Sequence, residues 1–186
     1  MTFSIFFITL WFIFVAYWVA MSRASKKATY RRRVMLGGWS ARIILIVVGV
    51  SLWEFPIFMY SIFSPSSEIK ILGILICLLG MLFAVWARRT LGLNWSANPI
   101  ELKENHELVS SGPYRLVRNP IYTGVMFALL GTFIGEGQLR VFLLFVLIAI
   151  GMIVRTRIEG KLMAQQFPES YPEYKKKVKS LIPWII

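Results

Sequence analysis

The chain has 186 residues, 57% of them hydrophobic and only 16% charged, with a mean hydropathy of +0.65. Soluble domains are about 45–50% apolar and roughly a quarter charged, so these values exclude an ordinary solvated domain, and they equally exclude a disordered chain. Twenty-one Lys and Arg stand against nine Glu and no Asp, for a net charge of +12, and the single Cys77 and single His106 exclude a disulfide framework and a multi-histidine metal site within one chain.

A membrane-crossing helix needs about 20 mostly apolar residues. In chain order the candidates are residues 3–21, 43–63, 71–87, 120–135 and 139–154. The first has no basic residue ahead of it and carries Arg23, Lys26 and Lys27 behind it, which favours a retained span over a cleaved leader. The second is interrupted by Glu54 and Pro56. A carboxylate inside a span is a functional candidate, although the proline also allows a helix break near the outer surface. Between the last two runs, Gly135-Glu136-Gly137-Gln138 has the punctuation of a tight helical hairpin. Cys77 reads as packing, and Gly73, Gly80, Gly131 and Gly135 permit close helix approach.

Basic residues in the connectors set orientation. Nineteen fall in the first connector, the third connector and the tail, whereas the second and fourth connectors hold only Lys70 and Arg140. This alternation predicts five crossings of a plasma or inner membrane, with the N-terminus outside and the C-terminus in the cytoplasm. It also accounts for most of the positive charge, so a nucleic-acid partner loses its main support. The expected fold is an all-α integral membrane protein, one domain over residues 1–186.

Chemistry-bearing residues gather in two polar segments, 88–119 and 155–186, both cytoplasmic in this topology. In the first, Gly112-Pro113 signals a turn, and Asn119-Pro120 reads as a helix start, with Asn at the N-cap and Pro at the first helical position. Such an end, flanked by Arg115 and Arg118, suits an anion; an ordinary cap with snorkelling arginines accounts for the same residues. In the second, Arg155 and Glu159 become i, i+4 neighbours if the fifth run continues as helix. They are then either a surface ion pair or a device that positions a substrate. His106 lies alone in a polar stretch, as a solvated residue or a catalyst. No metal ligand set, phosphate-loop motif or dinucleotide fingerprint is present.

Taken together, these segments resemble a known family. The string from Leu108 to Gly124, L-V-S-S-G-P-Y-R-L-V-R-N-P-I-Y-T-G, is similar to the signature of isoprenylcysteine carboxyl methyltransferases and their bacterial relatives. Arg155, Glu159, Phe167, Tyr171 and Tyr174 follow in matching order, as do Leu91-Gly92 and Asn94-Trp95-Ser96 upstream. The resemblance covers residues 85–183. It implies an integral membrane methyltransferase using S-adenosylmethionine, with a cytoplasmic cofactor pocket formed by helix ends and the C-terminal segment. His106, Leu108, Val109, Gly112, Tyr114, Arg118, Asn119 and Tyr122 would line that pocket, and Glu159 with Arg155 would serve the methyl acceptor. Two departures stand out: Asn119 where the family usually has His, and Gly160 where a second Glu usually follows the first.

The implied reaction esterifies a carboxylate on a lipophilic, prenylcysteine-like or lipidated substrate that enters from the bilayer, oriented by Arg155 or Arg157. Gly160 and Pro168 would let the tail close as a lid. The alternatives are N-methylation of a lipid amine and a non-catalytic membrane protein that keeps the fold.

Overall fold

A computed structural model describes residues 2–22, 28–31, 60–92, 101–103 and 108–183. Its helices are α1 (Thr2–Ser22), α2 (Ser67–Leu91), α3 (Pro120–Glu136), α4 (Leu139–Gln166) and α5 (Ser170–Lys177), with a 3₁₀ turn at Gly112–Arg115. The protein is an all-α integral membrane protein. Helices α1, α2 and α4 are long and apolar enough to cross a bilayer, and α3 is a shorter apolar helix. Added to them is a two-stranded antiparallel ribbon, β1 (Ala28–Arg31) against β2 (Glu101–Lys103).

The centre of the fold is the α2–α3 pair. Gly73, Cys77, Gly80, Met81 and Ala84 are buried along α2, and Gly124, Ala128, Gly131 and Gly135 along α3. These positions recur at helical spacing, so each set forms one stripe. The stripes meet backbone to backbone. A Cβ on Gly73 would lie 2.6 Å from the Gly131 carbonyl oxygen, and one on Gly80 would lie 2.5 Å from that of Gly124. Small residues at a membrane-helix interface allow this approach, and dispersion across it replaces the missing hydrophobic drive. The expectation drawn from these glycines is met.

Helix α1 packs on the pair through Phe7 and Phe14. The Trp11 indole N–H donates to Thr132 Oγ1 at 3.0 Å, and the Ser4 hydroxyl donates to Glu136 at 3.0 Å. Most of the remaining apolar surface faces outward: Ile8 is 68% exposed, Phe12 74% and Leu147 69%. That distribution suits contact with lipid rather than water.

Direction follows from the end contacts. Ser4 meets the last residue of α3, while Arg88, in the last turn of α2, reaches the Met21 carbonyl at the end of α1. Helices α1 and α2 are therefore parallel to each other and antiparallel to α3. The chain leaves α1 at one end of the bundle and re-enters the described residues at Tyr60 at the other, where the Tyr60 carbonyl accepts from Leu139 N–H at 2.9 Å.

Several boundaries differ from the sequence expectation. The third run begins at Ser67 rather than 71 because Ser66 caps it, accepting from Ile69 N–H, and it extends to Leu91 before Gly92 turns it. The fifth does not stop at 154 but continues to Gln166. The second run, 43–63, and Glu54 within it lie outside the described residues except at 60–63. Those four are not helical: Ser61 bridges to Gln138, and Ile62 and Phe63 donate to the Gly137 carbonyl. The hairpin punctuation holds, with Gly137 left-handed at φ 66° as the C-cap of α3. A side chain there would also strike the Phe63 carbonyl.

Candidate active site

The site forms where α2 and α1 end and α3 begins. Gly112 adopts φ 57° to open the 3₁₀ turn, which places Pro113 and Tyr114 inside. Residues 117–119 then lead into α3, and the tail returns beside them. Val117 bridges Lys179 in parallel, Arg118 N–H donates to the Lys179 carbonyl at 2.8 Å, and Asn119 N–H donates to the Ser180 carbonyl at 3.0 Å. The Thr123 hydroxyl donates to the Leu181 carbonyl at 2.7 Å.

Here one expectation is corrected. Asn119 occupies the N-cap position with Pro120 behind it, but its side chain makes no cap bond. Its amide instead donates to Ser180 Oγ at 3.0 Å and to the Ser180 carbonyl at 3.3 Å. The returning tail offers acceptors to a side chain that would otherwise fold back on its own helix.

Because α4 continues as helix, it carries Arg155 and Glu159 to this end. At 1.5 Å per residue, Arg155 lies about 24 Å and Glu159 about 30 Å from the start of α4, which brings them to the far edge of a hydrocarbon core about 30 Å thick. Arg155 Nε donates to Glu159 Oε1 at 3.1 Å. The Tyr122 hydroxyl donates to the same oxygen at 2.5 Å. The Arg155 guanidinium also lies 5.7 Å from the centre of the Tyr122 ring. Side chains of the ion pair are 36% and 23% exposed, so it contributes under about 1 kcal/mol to stability. Arg157, the alternative partner for an acceptor, is exposed.

Arg118 Nη1 donates to the Tyr171 hydroxyl at 3.3 Å, with the guanidinium 6.0 Å from the Tyr171 ring centre. Its Nε is buried with no hydrogen-bond partner among the described residues. The Tyr174 hydroxyl donates to the Tyr114 carbonyl at 2.6 Å. Burial raises the Tyr114 phenol above its usual range; nearby Tyr174 and Glu159 add to the effect and Arg88 opposes it. Tyr174 is raised by burial as well, with Arg118 opposing and Tyr171 adding.

Of the predicted site residues, Tyr122, Arg155 and Glu159 meet directly, and Tyr114 lies within their electrostatic reach. Arg118 and Asn119 bind the tail. Leu108 and Val109 are half-buried ahead of the turn. His106 lies outside the described residues. The lid expectation is altered at Gly160, which sits inside continuous α4; the break falls at Phe167–Glu169, around Pro168. A Cβ on Gly160 would come within 3.2 Å of the Tyr171 hydroxyl.

Sequence reading missed Ser180 and Thr123 as tail anchors, and it missed Arg88. That arginine is 1% exposed and donates to the Gly92 carbonyl at 2.7 Å and the Met21 carbonyl at 2.8 Å. In the sequence, Arg88-Arg89 reads as an ordinary basic helix end, and nothing there marks which of the two turns inward.

The S-adenosylmethionine expectation can be tested against these groups. Its methionine carboxylate calls for a cationic donor, its adenine for buried rings and its sulfonium for an anion. Arg118 Nε, the Tyr114 and Tyr171 rings and the Glu159 carboxylate match those needs in kind. Among the described residues, no three His, Cys, Asp or Glu side chains gather to hold a metal.

The model of the phospholipid methyltransferase family matches residues 69–170, more than half of the chain. The chain belongs to that family. Among curated proteins, the chain is similar to the cobalt-zinc-cadmium resistance protein CzcN of Cupriavidus metallidurans. It is 34% identical over 110 residues, which cover 59% of this chain and 50% of the relative. The chain thus spans about half the length of that curated relative. Among solved structures, the eukaryotic intramembrane Ras methyltransferase, isoprenylcysteine carboxyl methyltransferase, matches with a TM-score of 0.61 at 23% identity, over 80% of this chain and 54% of the other. That likeness shows the shared fold. The segment that the family model matches spans nearly all of α2 and all of α3 and α4, the last two of which carry Tyr122, Arg155 and Glu159.

Proposed function

We propose that the protein is an S-adenosylmethionine-dependent methyltransferase that esterifies a carboxylate on a lipophilic, prenylcysteine-like or lipidated substrate within the membrane. The observation that carries this reading is the Arg155–Glu159 pair in the C-terminal half of α4, met there by Tyr122 from the start of α3. A guanidinium at that position offers paired donors to an acceptor carboxylate. Such a pair adds little stability, so positioning is the better account of its placement.

When bound, the cofactor supplies a sulfonium methyl that passes to the acceptor oxygen as the carbon–sulfur bond breaks and its electron pair stays on sulfur. Arg118 and the buried tyrosines would hold it, Arg118 through Nε and the tyrosines by ring contact. Arg155 orients the acceptor carboxylate. Glu159 holds Arg155 and would face the sulfonium, whose positive charge is lost as the methyl leaves. A carboxylate acceptor is already ionised at neutral pH, so no side chain has to remove a proton. The residues contribute orientation and exclusion of water, because attraction between opposite charges is stronger in a dry site.

The family description favours a second reading, methyl transfer to a lipid amine, in which Glu159 would take a proton. The charge alternation supports an N-terminus outside, with the site on the cytoplasmic face of a plasma or inner membrane and a lipid substrate arriving from the bilayer. The test is methyl transfer by the full chain in proteoliposomes. Arg155→Ala and Glu159→Ala should each abolish turnover while the protein stays folded in the membrane. Full activity in both variants removes this mechanism.

A further inference from the structure

We infer that the Tyr122 hydroxyl is a positioning group that acts through Glu159, tying the start of α3 to α4. The inference rests on the proposed methyl-transfer reading for its kinetic part.

Three observations support it. The Tyr122 hydroxyl donates to Glu159 Oε1, and a carboxylate acceptor makes a stronger bond than a neutral one. Arg155 Nε donates to that same oxygen at 3.1 Å, so both donors converge on Oε1. Among the described residues, Oε2 accepts no hydrogen bond from the protein and is the carboxylate oxygen left open.

The two donors are not equivalent. Arg155 sits one turn before Glu159 on the same helix and moves with it. It can set the carboxylate rotamer but cannot fix that carboxylate relative to α3. Tyr122 can, because it belongs to the helix that begins immediately after Arg118 and Asn119. The hydroxyl therefore holds the acceptor side of the site in register with the cofactor side. Its ring lies against the Arg155 guanidinium, so Phe at this position keeps the ring packing and loses the hydroxyl's bonds. Misplacement by about 1 Å can cost on the order of a hundredfold in rate.

The experiment compares wild type, Tyr122→Phe, Glu159→Gln and the double variant, all as full chains in detergent. It reads kcat, KM, S-adenosylmethionine binding by calorimetry, and the thermal midpoint. Tyr122→Phe should lower kcat by roughly ten- to a hundredfold. It should leave the Kd and KM for S-adenosylmethionine within about threefold. Added to Glu159→Gln, it should cost less than about twofold more, because residues acting as one unit are not additive. Cofactor binding weakened about tenfold or more with kcat retained would make Tyr122 a cofactor contact and overturn the inference; so would fully multiplicative losses. Absence of turnover by folded wild type would instead sink the methyl-transfer reading. The tie is then decided by the thermal midpoints: a double-variant shift smaller than the sum of the single shifts supports it, and simple additivity overturns it.

Discussion

Asn119 holds Ser180. The amide at the entrance of α3 donates to both the hydroxyl and the carbonyl of a residue 61 positions further along the chain, and so closes the tail over the site. With the backbone bonds from Arg118 and Asn119, this makes the last described segment a structural part of the site.

Asn119→Ala should therefore cost about 1–2 kcal/mol from its lost hydrogen bonds. It should also release the tail before the bundle melts. Limited proteolysis at Lys175–Lys179, read against the thermal midpoint in detergent, separates the two effects. Cleavage at the wild-type rate would contradict this role.

The α2–α3 contact is the least tolerant part of the fold. Gly131→Leu should prevent native packing, because even a Cβ there would strike the backbone of Cys77. Overpacking alone costs about 1–3 kcal/mol, and backbone cannot yield as a side chain can. Gly151→Ala is the matched control: Gly151 lies in α4 with nothing within 4 Å, so it should gain about 0.5–1 kcal/mol in helix propensity. Size-exclusion profiles and thermal midpoints check the contrast.

Arg88 joins two helix ends, and its removal leaves two carbonyls without their donor. Arg88→Ala should cost roughly 1–3 kcal/mol for each carbonyl left unpaired. Arg88→Lys, with a single ammonium, should fall between. A thermal midpoint for Arg88→Ala equal to wild type would refute this account.

Alkaline pH should destabilise the protein through Tyr114 and Tyr174. Both phenols are raised in the folded state, chiefly by burial. Up to about pH 10, folded and unfolded chains hold these protons alike. Above that, the unfolded chain loses them first, so the folded state binds more protons and stability falls as pH rises. Tyr114→Phe should flatten the decline in thermal midpoint above about pH 10. An unchanged slope in that variant would contradict the assignment.

Much of this was legible in the sequence. Run length and small-residue spacing set out α1, α2, α3 and the hairpin, because a bilayer imposes both length and close packing on its helices. The i, i+4 pair Arg155–Glu159 was legible as soon as α4 was allowed to continue. Its extension to Gln166 was not, because hydropathy stops at Val154 whereas the helix does not. The destination of Asn119 was also hidden: a cap residue and a tail anchor look alike until the partner, 61 residues away, is in place. Arg88 and Tyr122 were hidden for the same reason, since tertiary neighbours decide their roles.

Under the proposed reaction, the transferred methyl ends on a carboxylate oxygen. The direct measurement supplies wild-type proteoliposomes with a prenylated cysteine and methyl-labelled S-adenosylmethionine, then treats the product with base. The account predicts label on the prenylcysteine, released as methanol on hydrolysis and absent with Glu159→Ala. Label found only on a lipid amine and stable to base, or none from folded protein that binds the cofactor, would contradict it.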